Sequence, residues 1–231
     1  MICNPGQSTQ EALIRMKIWM QGAFVAAVVL ALCCATAQAQ TDVALSGFAT
    51  MTSSTSGFGT QQTPHNSGGG LVELRHIVNP LVGVEAALSF NLADQSYAPN
   101  GTNCFPVCGQ PPLEVSGKTT QFTGDWIFSL KTGNLRPFAL AGVGFAFTIP
   151  GTSPTAKDSA GHVLPAYSVN TVVRPAFVYG GGLDYSFSRH WGLRMQIRGN
   201  TSKAPQLLNL YPSTTKYTQV YEPTGGVFYR F

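Results

Sequence analysis

Charge is scarce in this chain: only 10% of the residues are Asp, Glu, Lys or Arg, and the formal net charge is +4. The basic residues form no cluster, which excludes a nucleic-acid footprint. Heptads and long helical periods are also missing, which excludes coiled coils and helical bundles. The apolar run from Gly22 to Cys34 is too short for a transmembrane helix, which needs roughly 20 apolar residues. Cysteines number only 5, and just two of them, Cys104 and Cys108, lie beyond the N-terminal segment, too few to complete a tetrahedral zinc shell. What the chain does have is glycine, aromatic residues and a strict alternation of apolar with polar or small side chains.

The N-terminus has the order of an export signal. Lys17 supplies a basic n-region, Gly22 to Cys34 an h-region, and Ala37-Gln38-Ala39 a small-residue cleavage site. Cleavage is expected after Ala39, so that residues 1–39 are signal peptide and Gln40 begins the mature domain, 40–231. Met16 is an alternative start, because the segment before it is polar and adds nothing to the signal. Cys33 and Cys34 raise a lipoprotein reading, but Leu32 and Cys33 are poor matches to the small residue expected before a lipidated cysteine. Cys3 also falls outside the mature chain. Cys104 and Cys108 remain, an even pair in an exported protein, which favours a disulfide over a metal site.

The mature chain fits one domain. Its alternation defines eight candidate strands: Asp42 to Met51, Gly70 to Val78, Leu81 to Leu92, Thr119 to Leu130, Leu135 to Ile149, Val169 to Ser188, Trp191 to Thr201 and Tyr217 to Phe231. The connections alternate between long and short. Long ones, rich in Gly, Ser, Thr, Asn and Pro, run from Thr52 to Gly69, Ala93 to Lys118, Pro150 to Ser168 and Ser202 to Lys216. Short ones are Asn79-Pro80, Lys131 to Asn134, and Arg189-His190. An even strand count with long loops at one end and tight turns at the other predicts an all-β, antiparallel up-and-down transmembrane barrel.

Successive side chains on a strand point to opposite faces, so each strand has two rows. In Trp191 to Asn200, Trp191, Leu193, Met195 and Ile197 oppose Arg194, Gln196, Arg198 and Asn200. Collected over all strands, the second row holds Glu73, Glu85, Asp125, Asp184 and Glu222 beside Arg75, Arg136, Arg174, Arg194, Arg198 and Arg230. A barrel of about eight strands has an interior just wide enough to be filled by side chains. Charges placed there must be paired, and the planar guanidinium suits an interlocked polar core. These residues are expected to form a structural ion-pair plug in the lumen. The apolar row would then face lipid, with Trp126, Phe128, Tyr185, Phe187, Trp191, Tyr229 and Phe231 forming an interfacial belt near the short turns. A soluble sandwich or lipocalin-like barrel is the rival fold, and it would bury the apolar row instead.

The export signal, the eight-strand alternation and the last strand, Val227-Phe228-Tyr229-Arg230-Phe231, resemble the small outer-membrane barrels of the OmpA/OmpX-like group. The resemblance implies that Val227, Tyr229 and Phe231 are an assembly signal read by the barrel-assembly machinery. With the chain ending at Phe231, the periplasmic peptidoglycan-binding domain of full-length OmpA-type proteins is not expected. Outer-membrane lipid and lipopolysaccharide are the expected surroundings, the loops are the place for an extracellular ligand, and a monomer without cofactors is expected.

Three functions suit this layout to different degrees. The first is a non-enzymatic outer-membrane protein that is structural or makes surface contacts and adhesion through its loops. The second, a lipid-A-modifying enzyme, needs a Ser and His with an orienting carboxylate near the extracellular rim. His65, His76, His162 and His190 do not meet that need, and no catalysis is expected. The third is a narrow passage for small apolar solutes, with Gly180-Gly181-Gly182, Gly142 and Gly144 thinning the wall. Against it, these glycines relieve crowding where strands bend or pack inward side chains.

Overall fold

The computed structural model describes residues 40–99, 113–151, 171–207 and 216–231. The expected signal peptide, Cys104, Cys108 and His162 lie outside the described residues. In chain order the strands are β1 (Gln40–Ala49), β2 (Met51–Thr52), β3 (Thr55–Gly57), β4 (Thr60–Pro64), β5 (Gly68–Ile77), β6 (Val82–Leu92) and β7 (Gln95–Pro99). They continue with β8 (Leu113–Val115), β9 (Gly117–Ser129), β10 (Leu135–Pro150), β11 (Val172–Ser186), β12 (Trp191–Lys203) and β13 (Tyr217–Arg230).

Eight of these, β1, β5, β6, β9, β10, β11, β12 and β13, pair in that order, and β13 pairs back with β1. Every pairing is antiparallel, so the sheet is a closed up-and-down barrel without an edge. The short turns use local chemistry. Asn79 Oδ1 accepts the amides of Leu81 and Val82 at 2.9 and 2.8 Å, and Ser188 Oγ accepts that of Trp191 at 2.9 Å. Gly133 supplies the left-handed residue, φ +60°, between β9 and β10.

The two rows fall as the alternation predicts. Glu73, Arg75, Asp184 and Arg194 are fully buried, whereas Val143, Met195 and Ile197 are at least 60% exposed. That inversion excludes the sandwich and the lipocalin-like barrel, which would bury the apolar row. Trp126, Phe128, Tyr185, Phe187, Trp191 and Phe231 are exposed near the short turns, and Tyr229 lies between Trp191 and Phe231 with ring centroids at 5.0 and 5.3 Å.

Two long connections differ from expectation. Parts of 52–69 and 93–118, read as polar loops, form a second antiparallel sheet in the order β3, β4, β7, β8. This sheet caps the end of the barrel opposite the short turns. Thr60 and Gln62 are buried while Gln61 and Thr63 are exposed, so both faces of β4 are polar and hydropathy shows no period there. Phe58 and Gly59, at φ 50° and 75°, make the two-residue tip of the β3–β4 hairpin.

Candidate functional site

The lumen is filled across its middle by charge. Arg75 on β5 reaches Glu85 on β6, Nε to Oε2 at 2.8 Å, and Asp184 on β11 at 3.1 Å. Arg194 on β12 donates to Asp184 through Nε at 2.8 Å and to Asp42 on β1 through Nη2 at 2.8 Å, with Glu73 at 3.5 Å. Arg198, four residues further along β12 on the same face, holds Glu85 at 2.9 Å and Asp125 on β9 at 2.9 Å. Gln196 donates to Glu73 at 2.5 Å, and Thr123 both accepts from Arg198 at 3.0 Å and donates to Asp125 at 3.1 Å. Six strands therefore contribute to one connected network. Each carboxylate and guanidinium in it is almost fully shielded from solvent, a condition tolerable only because the charges satisfy one another.

Of the eleven residues singled out by alternation, the structure brings together Glu73, Arg75, Glu85, Asp125, Asp184, Arg194 and Arg198. Four lie apart from these ion pairs. Arg136 is buried and donates to Gln40 at 2.8 Å; Arg230 stands with its guanidinium carbon 5.2 Å from the Phe228 ring centre. Glu222, opposite Arg198 in the ladder, and Arg174 both line the space above the network. Asp42 was missed, although it alternates with Val43 and Leu45 as the others do with their neighbours.

The inward row is also less uniformly polar than expected. Ile77, Ile127, Phe138, Leu140 and Val178 form a buried apolar cluster, and Phe48, Leu71 and Ala87 form another. Arg75 stacks over Phe138, 4.1 Å from the ring centre, and Arg194 lies 5.4 Å from that of Phe228. These rings give the guanidiniums a second, cation–π contact; Phe138 and Phe228 were missed in the sequence, although they share the parity of their charged neighbours. Glycine makes the room. A Cβ on Gly142 would lie 2.1 Å from Asp125 Oδ1, and one on Gly192 would lie 2.2 Å from Phe228 Cζ. The triplet Gly180 to Gly182 is crowded in the same way, with neighbouring carbonyl oxygens at 2.3 to 2.9 Å from each added Cβ, so a side chain at any of the three would collide with the adjacent strands.

Above the network, on the side of the long connections, lies a small vestibule of about 90 Å³, lined by His65, Asp94, Gln121, Thr148, Arg174 and Glu222 among others. The second sheet roofs it. Tyr97, buried there, donates to the Pro205 carbonyl at 2.9 Å and accepts the Leu207 amide at 3.2 Å, while Gln62 donates to the same carbonyl at 2.8 Å. These bonds fasten the segment after β12 to the cap. Burial pushes the Tyr97 phenol up to about 12. The histidines are dispersed: His76 shares a hydrogen bond with Thr41 at 2.9 Å on the outer face, and His190 stacks on Tyr229 at 5.8 Å. Among the described residues no group of His, Cys, Asp and Glu has the arrangement of a metal site.

The outer membrane protein beta-barrel domain family matches residues 24–231. OprG from Pseudomonas aeruginosa superposes with a TM-score of 0.51 at 15% identity, over 83% of this chain and 95% of OprG. Neisserial surface protein A superposes with a TM-score of 0.50 at 13% identity, over 84% of this chain and 100% of its own. At such identities the likeness carries the fold alone. No curated protein matches the chain.

Proposed function

The chain belongs to the outer membrane protein beta-barrel domain family and resides in the bacterial outer membrane, and from that premise we propose a non-enzymatic integral protein with a sealed lumen, acting through its extracellular cap. The observation that carries this reading is the buried network of Arg75, Arg194 and Arg198 with five carboxylates, which blocks the bore. An ion crossing it would have to displace buried, charge-assisted hydrogen bonds. The cap is built from connections far longer than closing a hairpin requires, and its polar, hydrogen-bonded sheet suits contact with an aqueous partner.

Two measurements test the two halves. The refolded protein in planar bilayers should show no stable conductance, and a reproducible open level sinks the sealed-lumen reading. Removing residues 54–66 should abolish binding of expressing cells to a host-cell or matrix surface, and unchanged binding sinks the contact role. Val227, Tyr229 and Phe231 are proposed as the signal read by the assembly machinery. Phe231→Ala should lower the amount of heat-modifiable barrel in the membrane while leaving transcript level unchanged.

A further inference from the structure

The tip of the cap carries a side chain that folding does not require. Phe58 and Gly59 close the β3–β4 hairpin with left-handed backbone, φ 50° and 75°. Hairpins of this hand favour Asn-Gly, Asp-Gly or Gly-Gly at the two central positions, because a larger first residue is strained there. Among the described residues Phe58 alone, glycines aside, has positive φ, and for a bulky side chain that is an outlier. Burial does not offset the strain. At 69% exposure Phe58 is the most open large apolar side chain among the described residues, and it stands on the cap, away from the lipid-facing rows. Strain kept at a position that adds nothing to the core points to a role in binding.

The setting of the ring is braced and uncharged. β4 pairs with β7 over its whole length, and Gln62, buried beneath the hairpin, donates to the Pro205 carbonyl at 2.8 Å. From Met51 to Ser67 the one ionisable side chain is His65. The open face of the hairpin presents Gln61 and Thr63, both exposed, and the half-buried Ser56, which forms the rung next to the tip with Gln61. A bilayer or an apolar pocket would accept the ring but strip water from these amides and hydroxyls without replacing its hydrogen bonds. A sulfate, phosphate or sialyl carboxylate would find no counter-charge beside it. A neutral sugar answers both parts of the surface: the C–H face of a pyranose packs on an aromatic ring, and its hydroxyls exchange hydrogen bonds with amide and hydroxyl side chains. We propose that Phe58, with Ser56, Gln61 and Thr63, is a binding site for uncharged saccharide. The proposal rests on the contact role of the cap and names the chemistry of its partner.

The test uses the full chain in phosphatidylcholine nanodiscs, with beads bearing lactose, maltose or N-acetylglucosamine as neutral probes and sialyllactose beads as the charged control. Lipid-free polysaccharide from the expressing cell's own surface is the further arm, which separates a partner on the same cell from one on another surface. Saturable binding to a neutral probe or to that polysaccharide is expected, unchanged by a roughly tenfold rise in salt because no charge pair forms. Phe58→Asn restores the preferred turn pair, so the hairpin should resist limited proteolysis at least as well as in the wild type, while binding falls roughly tenfold or more. Phe58→Trp should retain binding, and Gln61→Ala should weaken it severalfold. Binding to none of the neutral saccharides overturns the proposal, as does wild-type binding by folded Phe58→Asn. If the probes fail while removal of residues 54–66 still abolishes cell attachment, the contact role stands and the saccharide site falls.

Discussion

Arg194 illustrates how much one side chain can hold: its guanidinium lies within 4 Å of Asp42, Glu73, Glu85 and Asp184. Truncating it leaves several buried carboxylates without their main partner, so Arg194→Ala should destabilise the barrel by about 3–5 kcal/mol. The urea midpoint of heat-modifiable migration in detergent micelles reads this. Arg194→Lys should recover only part of the loss, since an ammonium cannot reproduce the fork that meets Asp184 twice, at 2.8 and 3.1 Å. Gly142→Ala places a methyl group against Asp125 and the Gly124 carbonyl, and should cost about 1–3 kcal/mol in the same assay. The parity of Arg194 and Asp184 was legible in the sequence because both sit among apolar neighbours. Asp42 and Phe138 obey the same parity, but one stands near a strand end and the other looks like core on either face. Which carboxylate each arginine chooses is set by barrel closure, which alternation does not encode.

At the level of elements, the strands that touch lipid were legible and the strands of the cap were not. Lipid demands an apolar row, and the row marks its own period; β3, β4, β7 and β8 meet water and polar neighbours, so their residues carry no such mark. The cap is held to the segment after β12 by Tyr97. Tyr97→Phe removes the donor to Pro205 and the acceptor for Leu207, each worth about 1 kcal/mol, and should make the cap markedly more sensitive to limited proteolysis while the barrel stays intact. The phenol is raised by burial, so the folded state holds its proton more tightly than the unfolded one. Its contribution should be complete below about pH 10 and disappear as the pH rises through about 12. Difference absorbance between the wild type and Tyr97→Phe should show this one tyrosine ionising in the upper part of that window. Coincident ionisation with the exposed tyrosines contradicts its burial.

For the whole molecule, the alternation predicted both the fold and its orientation to lipid, because a closed barrel in a membrane leaves each row one place to go. Function was less legible: the cap over the vestibule is fastened by hydrogen bonds between segments far apart in sequence. The same separation bears on how the protein enters the membrane. Arg194 and Asp42 are 152 residues apart, Arg198 and Glu85 113, and Arg75 and Asp184 109. A strand that entered lipid by itself would bring its charges in without counter-ions, at a cost of about 2–4 kcal/mol for an arginine at the bilayer midplane. Insertion of single strands is thereby disfavoured. The charged core thus acts as a proofreader of biogenesis: hairpin pairs such as Arg75–Glu85 and Arg194–Asp184 relieve part of the penalty early, and the rest is released only when the barrel closes and Arg194 meets Asp42.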